Sequence, residues 1–161
     1  MQIRQARPAD EAALRQIDAV TWTADTSPAP PRAPDRPFFG AQTRPEDVLV
    51  AEADGQVIGY IHLEQASAIR SHQHVLDVSG LAVGPARQGQ GAGRRLLEAG
   101  VEQARLRGAR KLALRVLGPN DRARRMYEAC GFRVEGVLRG EFYLGGRYVD
   151  DVLMARDLTA R

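Results

Sequence analysis

The 161 residues, 43% hydrophobic and 27% charged, suit one globular domain over residues 1–161 and exclude collagen-like, membrane-spanning and disordered classes. A lone cysteine, Cys130, can close no internal disulfide and offers no set of metal thiolates, which points to a reducing, cytoplasmic compartment and to no metal. The formal charge of +3 sets 23 Lys and Arg against 20 Asp and Glu, and with Lys111 the sole lysine the excess is one of arginine, a residue suited both to solvated surfaces and to planar recognition of phosphate.

Residues 3–7 alternate as a short strand, Pro8 ends it, and Asp10 is placed to cap a helix whose apolar Ala13, Leu14, Ile17 and Val20 share one face. Pro28, Pro30, Pro31, Pro34 and Pro37 exclude a continuous helix in residues 23–45. Two readings fit that segment, a surface loop and a substrate-side lid, with Phe38 and Phe39 tucking its end down. Residues 47–53 and 56–64 flank Asp54-Gly55, a hairpin signature. Residues 75–83 form a further strand. Residues 91–107 place Leu97, Val101 and Ala104 at helical spacing and stop at Gly108. Strand follows over 109–117, helix over 120–130 and strand over 132–139, and Gly145-Gly146 turns the chain into a last strand at 148–155. This order implies a mixed α/β sheet with antiparallel arms and a parallel crossover in the middle. No apolar leader follows Met1 and no run of 18 apolar residues occurs, so neither a signal peptide nor a membrane span is expected.

Gln88-Gly89-Gln90-Gly91-Ala92-Gly93 falls between a predicted strand and a predicted helix. A helix start leaves N–H groups unpartnered and adds the positive dipole end, and residues without side chains let phosphate oxygens approach. The site suits an anion, above all a pyrophosphate. A dinucleotide fingerprint fails because Arg94 stands where its third glycine belongs, and a P-loop fails because Gln90 replaces the lysine. What remains is Q-x-x-G-x-G, with Arg87, Arg94 and Arg95 around it. Further on, Ala123, Met126, Tyr127 and Cys130 make one helical stripe with Asn120 at its N-cap.

Residues 81–85 followed by Gln88, Gly91 and Gly93, together with Asn120, Tyr127 and Gly131-Phe132 about 30 residues on, resemble the two motifs of the GNAT superfamily of acetyl-CoA-dependent N-acetyltransferases. The C-terminal residues 146–156 and Arg70-Ser71-His72 are similar to bacterial members acting on amino acids or related small amines. The resemblance implies a mostly antiparallel sheet of six to seven strands with a central splayed parallel pair, flanked by about four helices. It implies acetyl-CoA as co-substrate, held by Leu81, Ala82, Val83, Gln88, Gly89, Gln90, Gly91, Ala92, Gly93, Asn120 and Tyr127, with Arg94 or Arg95 reaching the 3′-phosphate.

The implied reaction is direct attack of a neutral amine on the thioester, with Tyr127 protonating the leaving thiolate. The attacking amine needs a general base. Asp77, on the strand before the glycine turn, leads, with Asp150 and His74 behind it. Ribosomal-protein acetyltransferases in the superfamily carry a glutamate where Arg115 stands here, so their mechanism does not transfer. Two further readings stay open: a non-catalytic CoA-binding regulatory domain, and acetylation of a protein N-terminus or lysine. An RNA-associated module is disfavoured by an aromatic content of 6%, so no nucleic-acid or membrane partner is expected. An open mixed sheet leaves an edge strand that a homodimer would cover.

Overall fold

The first turn in the chain's hairpins is set by two residues. Asp54 and Gly55 both take left-handed backbone, φ 53° and 73°, the pair of angles a tight turn needs to match the twist of its strands. They join β2 (Val48–Ala53) to β3 (Gln56–Glu64). Before them come β1 (Gln2–Gln5) and α1 (Glu11–Thr21), and after them β4 (Val75–Val83), α2 (Ala92–Leu106), β5 (Lys111–Leu117), α3 (Asp121–Ala129), β6 (Arg133–Leu144) and β7 (Arg147–Asp157). This computed structural model describes residues 1–160.

The strands form one seven-stranded sheet in the order β1-β2-β3-β4-β5-β7-β6. Every neighbouring pair is antiparallel except β4 and β5, whose parallel pairing encloses the crossover helix α2. Alternation divides β2 and β3 between two cores. Leu49, Ala51, Ile61 and Leu63 face α2 and α3, where Leu96, Leu97, Val101 and Phe132 are buried. Val48, Val50 and Tyr60 face Leu14 and Ile17 of α1. At Gly100 of α2 a Cβ would stand 2.7 Å from Ile61 Cδ1, so the missing side chain is what lets the helix lie this close to β3.

Three α-helices, not about four, flank the sheet among the described residues. The proline-rich stretch that separates α1 from β2 contributes none, as its fixed φ angles and missing N–H donors require. Asp10 precedes α1 but makes no side-chain cap there. Its carboxylate instead takes two guanidinium bonds from Arg4, at 2.9 and 3.0 Å, and the Arg7 N–H at 2.8 Å. Strand β6 runs five residues past the expected end at Arg139, because the long β6–β7 hairpin keeps its pairing to Leu144.

Residues 23–45 are fastened at several points. Phe38 is 3% exposed and sets its ring edge-on to Tyr60 at 4.9 Å and to Phe39 at 5.4 Å. Glu11 accepts from the Phe38 and Phe39 N–H groups at 2.6 and 3.0 Å. Arg32 Nε pairs with Asp18 at 2.9 Å, and Trp22 Nε1 donates to the Ala29 carbonyl at 2.8 Å. The expected tucking by the two phenylalanines therefore holds. Phe38→Ala is expected to cost roughly 3 kcal/mol or more of unfolding free energy in a urea titration; a loss below about 1 kcal/mol would show that the segment is held by its polar ties alone.

Candidate active site

Strand β4 pairs with β5 over only four positions, from Val75 opposite Lys111 to Val78 opposite Leu114. Beyond them β4 stays on β3 to Val83, and β5 stays on β7 to Leu117. The two strands part, and their facing backbone edges have no ladder partner. The break coincides with a bulge: Leu63 faces Val78 but His62 faces Gly80, leaving Ser79 as the extra residue. An inserted residue bends its strand and sharpens the local twist.

A cleft of about 900 Å3 opens at this parting, walled by residues 78–83 of β4, Leu114–Val116 of β5, the turn before α2, one face of α3 and the proline-rich segment. Leu81, Ala82 and Val83 thus lie together on the unpaired edge, where N–H and C=O groups can receive an extended ligand as a strand would.

At the head of α2, Gly89 and Gly91 have φ of 76° and 84°, and a Cβ on either would meet nothing within 4 Å. These positions call for glycine through conformation, not space. The first helical bond runs from Arg95 N–H to Gly91 O, so the N–H groups of Ala92, Gly93 and Arg94 have no intrahelical acceptor. At Gly93 a Cβ would lie 3.2 Å from Met126 Sδ, which sets the approach of α2 to α3. Gln88 ties the turn down: its Nε2 donates to Val83 O at 2.9 Å and its Oε1 accepts from Arg122 at 3.1 Å. Gln90 Nε2 leans back on the Ala86 carbonyl at 3.4 Å. Arg94 turns along the helix to Glu98, Nε to Oε1 3.0 Å, and Arg87 pairs with Asp54 at 3.0 Å. The cradle is therefore built of backbone N–H groups, with these two arginines engaged elsewhere.

Asn120 caps α3 as expected, its Oδ1 accepting from Ala123 N–H at 3.3 Å. Two turns later Tyr127 is 8% exposed, lines the cleft, and sets its ring centroid 6.1 Å from that of the core residue Phe132. Burial alone pushes the phenol up to about 12, so it is a neutral proton donor at physiological pH. Asp77 sits on the last paired stretch of β4, opposite Glu64 and Ala113. That register puts it on the same sheet face as Tyr60 and His62, opposite to Tyr127. It is half-buried beside the cleft-lining Val78. Burial raises its carboxyl above the usual range, against the pull of His72, Arg115 and Lys111.

The other two candidate bases lie apart from the parting. Asp150 accepts from Gly140 N–H and from Arg139, both at 2.9 Å, and those bonds, the backbone one first, hold its carboxyl low. His74 is exposed just before β4, where its carbonyl receives Arg110 N–H and Lys111 N–H. His72 lies in a short 3-10 turn and not on a strand. Cys130 is buried in the core, as its place on the apolar stripe implies.

His62 was silent in the sequence, one histidine in an apolar strand, and its partner lies 17 residues away. It is 7% exposed, with Nδ1 2.6 Å from Ser79 Oγ and Nε2 buried without a partner. Since a buried unpaired N–H costs more than a buried lone pair, the proton belongs on Nδ1, donated to Ser79, whose hydroxyl hydrogen is then free to turn into the cleft.

A sheet parted in mid-span beside a glycine-turned helix start is the architecture of an acyltransferase. The chain belongs to the GNAT family of acetyltransferases, whose model matches residues 12–132. Over 169 aligned residues, spanning 100% of this chain and 96% of the relative, it is 30% identical to the L-amino acid N-acyltransferase MnaT of Escherichia coli (strain K12). It is 34% identical to the phosphinothricin N-acetyltransferase of Alcaligenes faecalis over 113 residues, 70% of this chain and 57% of that protein. The structure of yncA from Salmonella typhimurium, solved with its cofactor acetyl-CoA, superposes with a TM-score of 0.82 at 26% identity, covering 98% of this chain and 94% of that one.

Burial comes first among the causes that lower the His62 pKa. In the unfolded chain a histidine gains its proton near pH 6.5; the folded chain gains it only at lower pH. The unfolded state then binds more protons, so stability falls as pH drops below about 6.5. His62→Gln, which can keep the bond to Ser79, is expected to flatten that slope by up to about 1.4 kcal/mol per pH unit, read from denaturant titrations between pH 5 and 7; identical slopes would place a charged imidazole in the fold.

Proposed function

We propose that residues 1–161 act as one GNAT-type domain that moves the acetyl group of acetyl-CoA to the primary amine of a small molecule, an amino acid or a related compound, by direct attack in a ternary complex. The observation that carries this reading is the parting of β4 and β5, with a neutral tyrosine hydroxyl on one face of the sheet and an elevated carboxyl on the other. Donor and acceptor can then meet through the gap.

Acetyl-CoA supplies the activated thioester. The glycine turn and the first N–H groups of α2 fit its pyrophosphate, since Gly89 and Gly91 leave space where a side chain would stand. The unpaired edge of Leu81, Ala82 and Val83 fits the amides of its pantetheine arm, and Asn120 borders the same channel. Backbone N–H groups on that edge are placed to stabilise the oxyanion. Tyr127 gives its proton to the departing thiolate, whose conjugate acid has a pKa of about 8.5. Asp77 removes the proton of the acceptor ammonium.

A small acceptor is favoured over a protein N-terminus or lysine because the proline-rich segment, pinned by Phe38 and Arg32, walls the acceptor side. The name of the relative MnaT supports an amino acid. A non-catalytic regulatory role is disfavoured by Tyr127 and Asn120 both standing at the channel. The single cysteine, buried as a thiol, accords with a cytoplasmic setting.

Acetyl-CoA is expected to raise the melting temperature of the protein. Tyr127→Phe should keep that shift while lowering kcat roughly 100-fold; a variant as fast as the parent would remove Tyr127 as the acid. Asp77 must be ionised to accept a proton, so kcat/KM should rise with pH through a limb lying above the ordinary carboxylate range. Asp77→Asn should erase that limb in a pH–rate series, and a profile that keeps it would transfer the role to a water chain.

A further inference from the structure

Six arginines line the cleft: Arg32, Arg36, Arg87, Arg94, Arg115 and Arg122. Arg32 is paired with the half-buried Asp18 of α1, and Arg87 and Arg94 with the exposed Asp54 and Glu98; Arg122 braces Gln88, and Arg36 projects from the proline-rich wall. Arg115 is held differently. It is the first residue of β5 beyond the last pair with β4, Val78–Leu114, so its side chain stands at the mouth of the parting. Its Nη1 donates to Asp151 Oδ2 at 3.1 Å. The Asp151 side chain is 2% exposed and that of Arg115 is 64% exposed.

That asymmetry is a poor stabilising device. Burying a carboxylate costs several kcal/mol unless the pairing is close and complete, and an exposed guanidinium is screened by water. It is a good orienting device. The aspartate, fixed on β7 among core residues, holds one nitrogen of a planar fork that carries five donors, and leaves the others to face the cleft. The fork has a counterpart. Asp77 lies opposite Ala113, two residues before Arg115 on the same face of β5, a spacing of roughly 7 Å along a strand. A molecule with an amine and a carboxylate on one carbon spans that distance with a hydrogen bond at each end, its ammonium toward Asp77 and its carboxylate toward Arg115. A simple amine or a polyamine leaves the fork without an anion.

We propose that Arg115, oriented by the buried Asp151, is the specificity-determining residue that reads the carboxylate of the acceptor, and that the acceptor is accordingly an α-amino acid. This rests on the acetyl-transfer reading above. Arg115 contacts substrate; Asp151 acts through it as a positioning residue.

The test compares common L-amino acids with their carboxamides, and with spermidine, as acceptors in a CoA-release assay. The parent protein is expected to prefer the acid of each active pair. Arg115→Gln should raise KM for the acid roughly 10- to 100-fold, the range for a hydrogen bond to a charged group, with kcat little changed. KM for the carboxamide and for acetyl-CoA should move less than twofold. Arg115→Lys, which keeps the charge but not the fork, should fall between. Asp151→Asn should reproduce the acid-specific rise; since it alters a buried group, Arg115→Gln on the open side is the deciding variant. Equal KM changes for acid and amide, or a parent that takes carboxamides or spermidine as well as acids, would overturn the proposal. Calorimetric titration of the CoA-loaded protein with the same pairs separates the two readings. Carboxylate-dependent binding that Arg115→Gln abolishes, without turnover, upholds the subsite and sinks acetyl transfer; binding indifferent to the carboxylate, or no binding of any acid, overturns the subsite.

Discussion

The site depends on β4 and β5 pairing for four residues and then separating. Backbone N–H and C=O groups in a sheet interior are normally all bonded, and leaving them bare in a dry core is costly. Here the outer strands prevent collapse of the gap. β3 holds β4 to its end and β7 holds β5 to its end, so neither strand can swing over to close the ladder without breaking bonds on its other side. The gap must stay wet or be filled by a ligand with its own amides. The bulge at Ser79 makes the separation local, because it bends β4 at one residue and shifts its register on β3 by one while the pairing continues on both sides.

The same parting sorts the chemistry by face. Helices α2 and α3 close one side, so the phosphate cradle and Tyr127 come from there. Helix α1 and the proline-rich segment close the other, so Asp77, His62 and the acceptor wall come from there. Burial acts on both faces, raising the phenol of Tyr127 and the carboxyl of Asp77. In the reaction proposed above, the phenol gives a proton and the raised carboxyl takes one. One physical cause thus sets two opposite roles.

What was legible in the sequence was local. Gly108, Gly145-Gly146 and Asp54-Gly55 announce their turns, since positive φ leaves few residue choices. Asn120 announces its cap, and the glycine turn its helix start. The parallel crossover follows from strand, helix and strand in succession. The bulge and the parting were not legible, because both are facts of pairing between strands far apart in the chain. The same holds for the links from His62 to Ser79 and from Arg115 to Asp151, 17 and 36 residues apart. Asp10 shows the converse failure: a good capping residue by type, it is drawn off by Arg4 and the Arg7 N–H.

The arginine excess takes a different meaning from the one its composition invites. Around the glycine turn, Arg87 and Arg94 are paired with Asp54 and Glu98, and an exposed pair of this kind contributes at most about 1 kcal/mol. In the proposed complex phosphate recognition falls to the main chain, where an N–H has no choice of direction once the helix is formed. A side chain fixed by a buried partner gains the same advantage, and Arg115 is the arginine of the cleft that has one. Charge alone therefore does not locate a binding group in this protein; restraint does. An arginine free to move loses entropy when it meets an anion, whereas a guanidinium already oriented by Asp151 has less to lose. In this cleft the informative basic residue is for that reason the one whose counter-ion is least exposed.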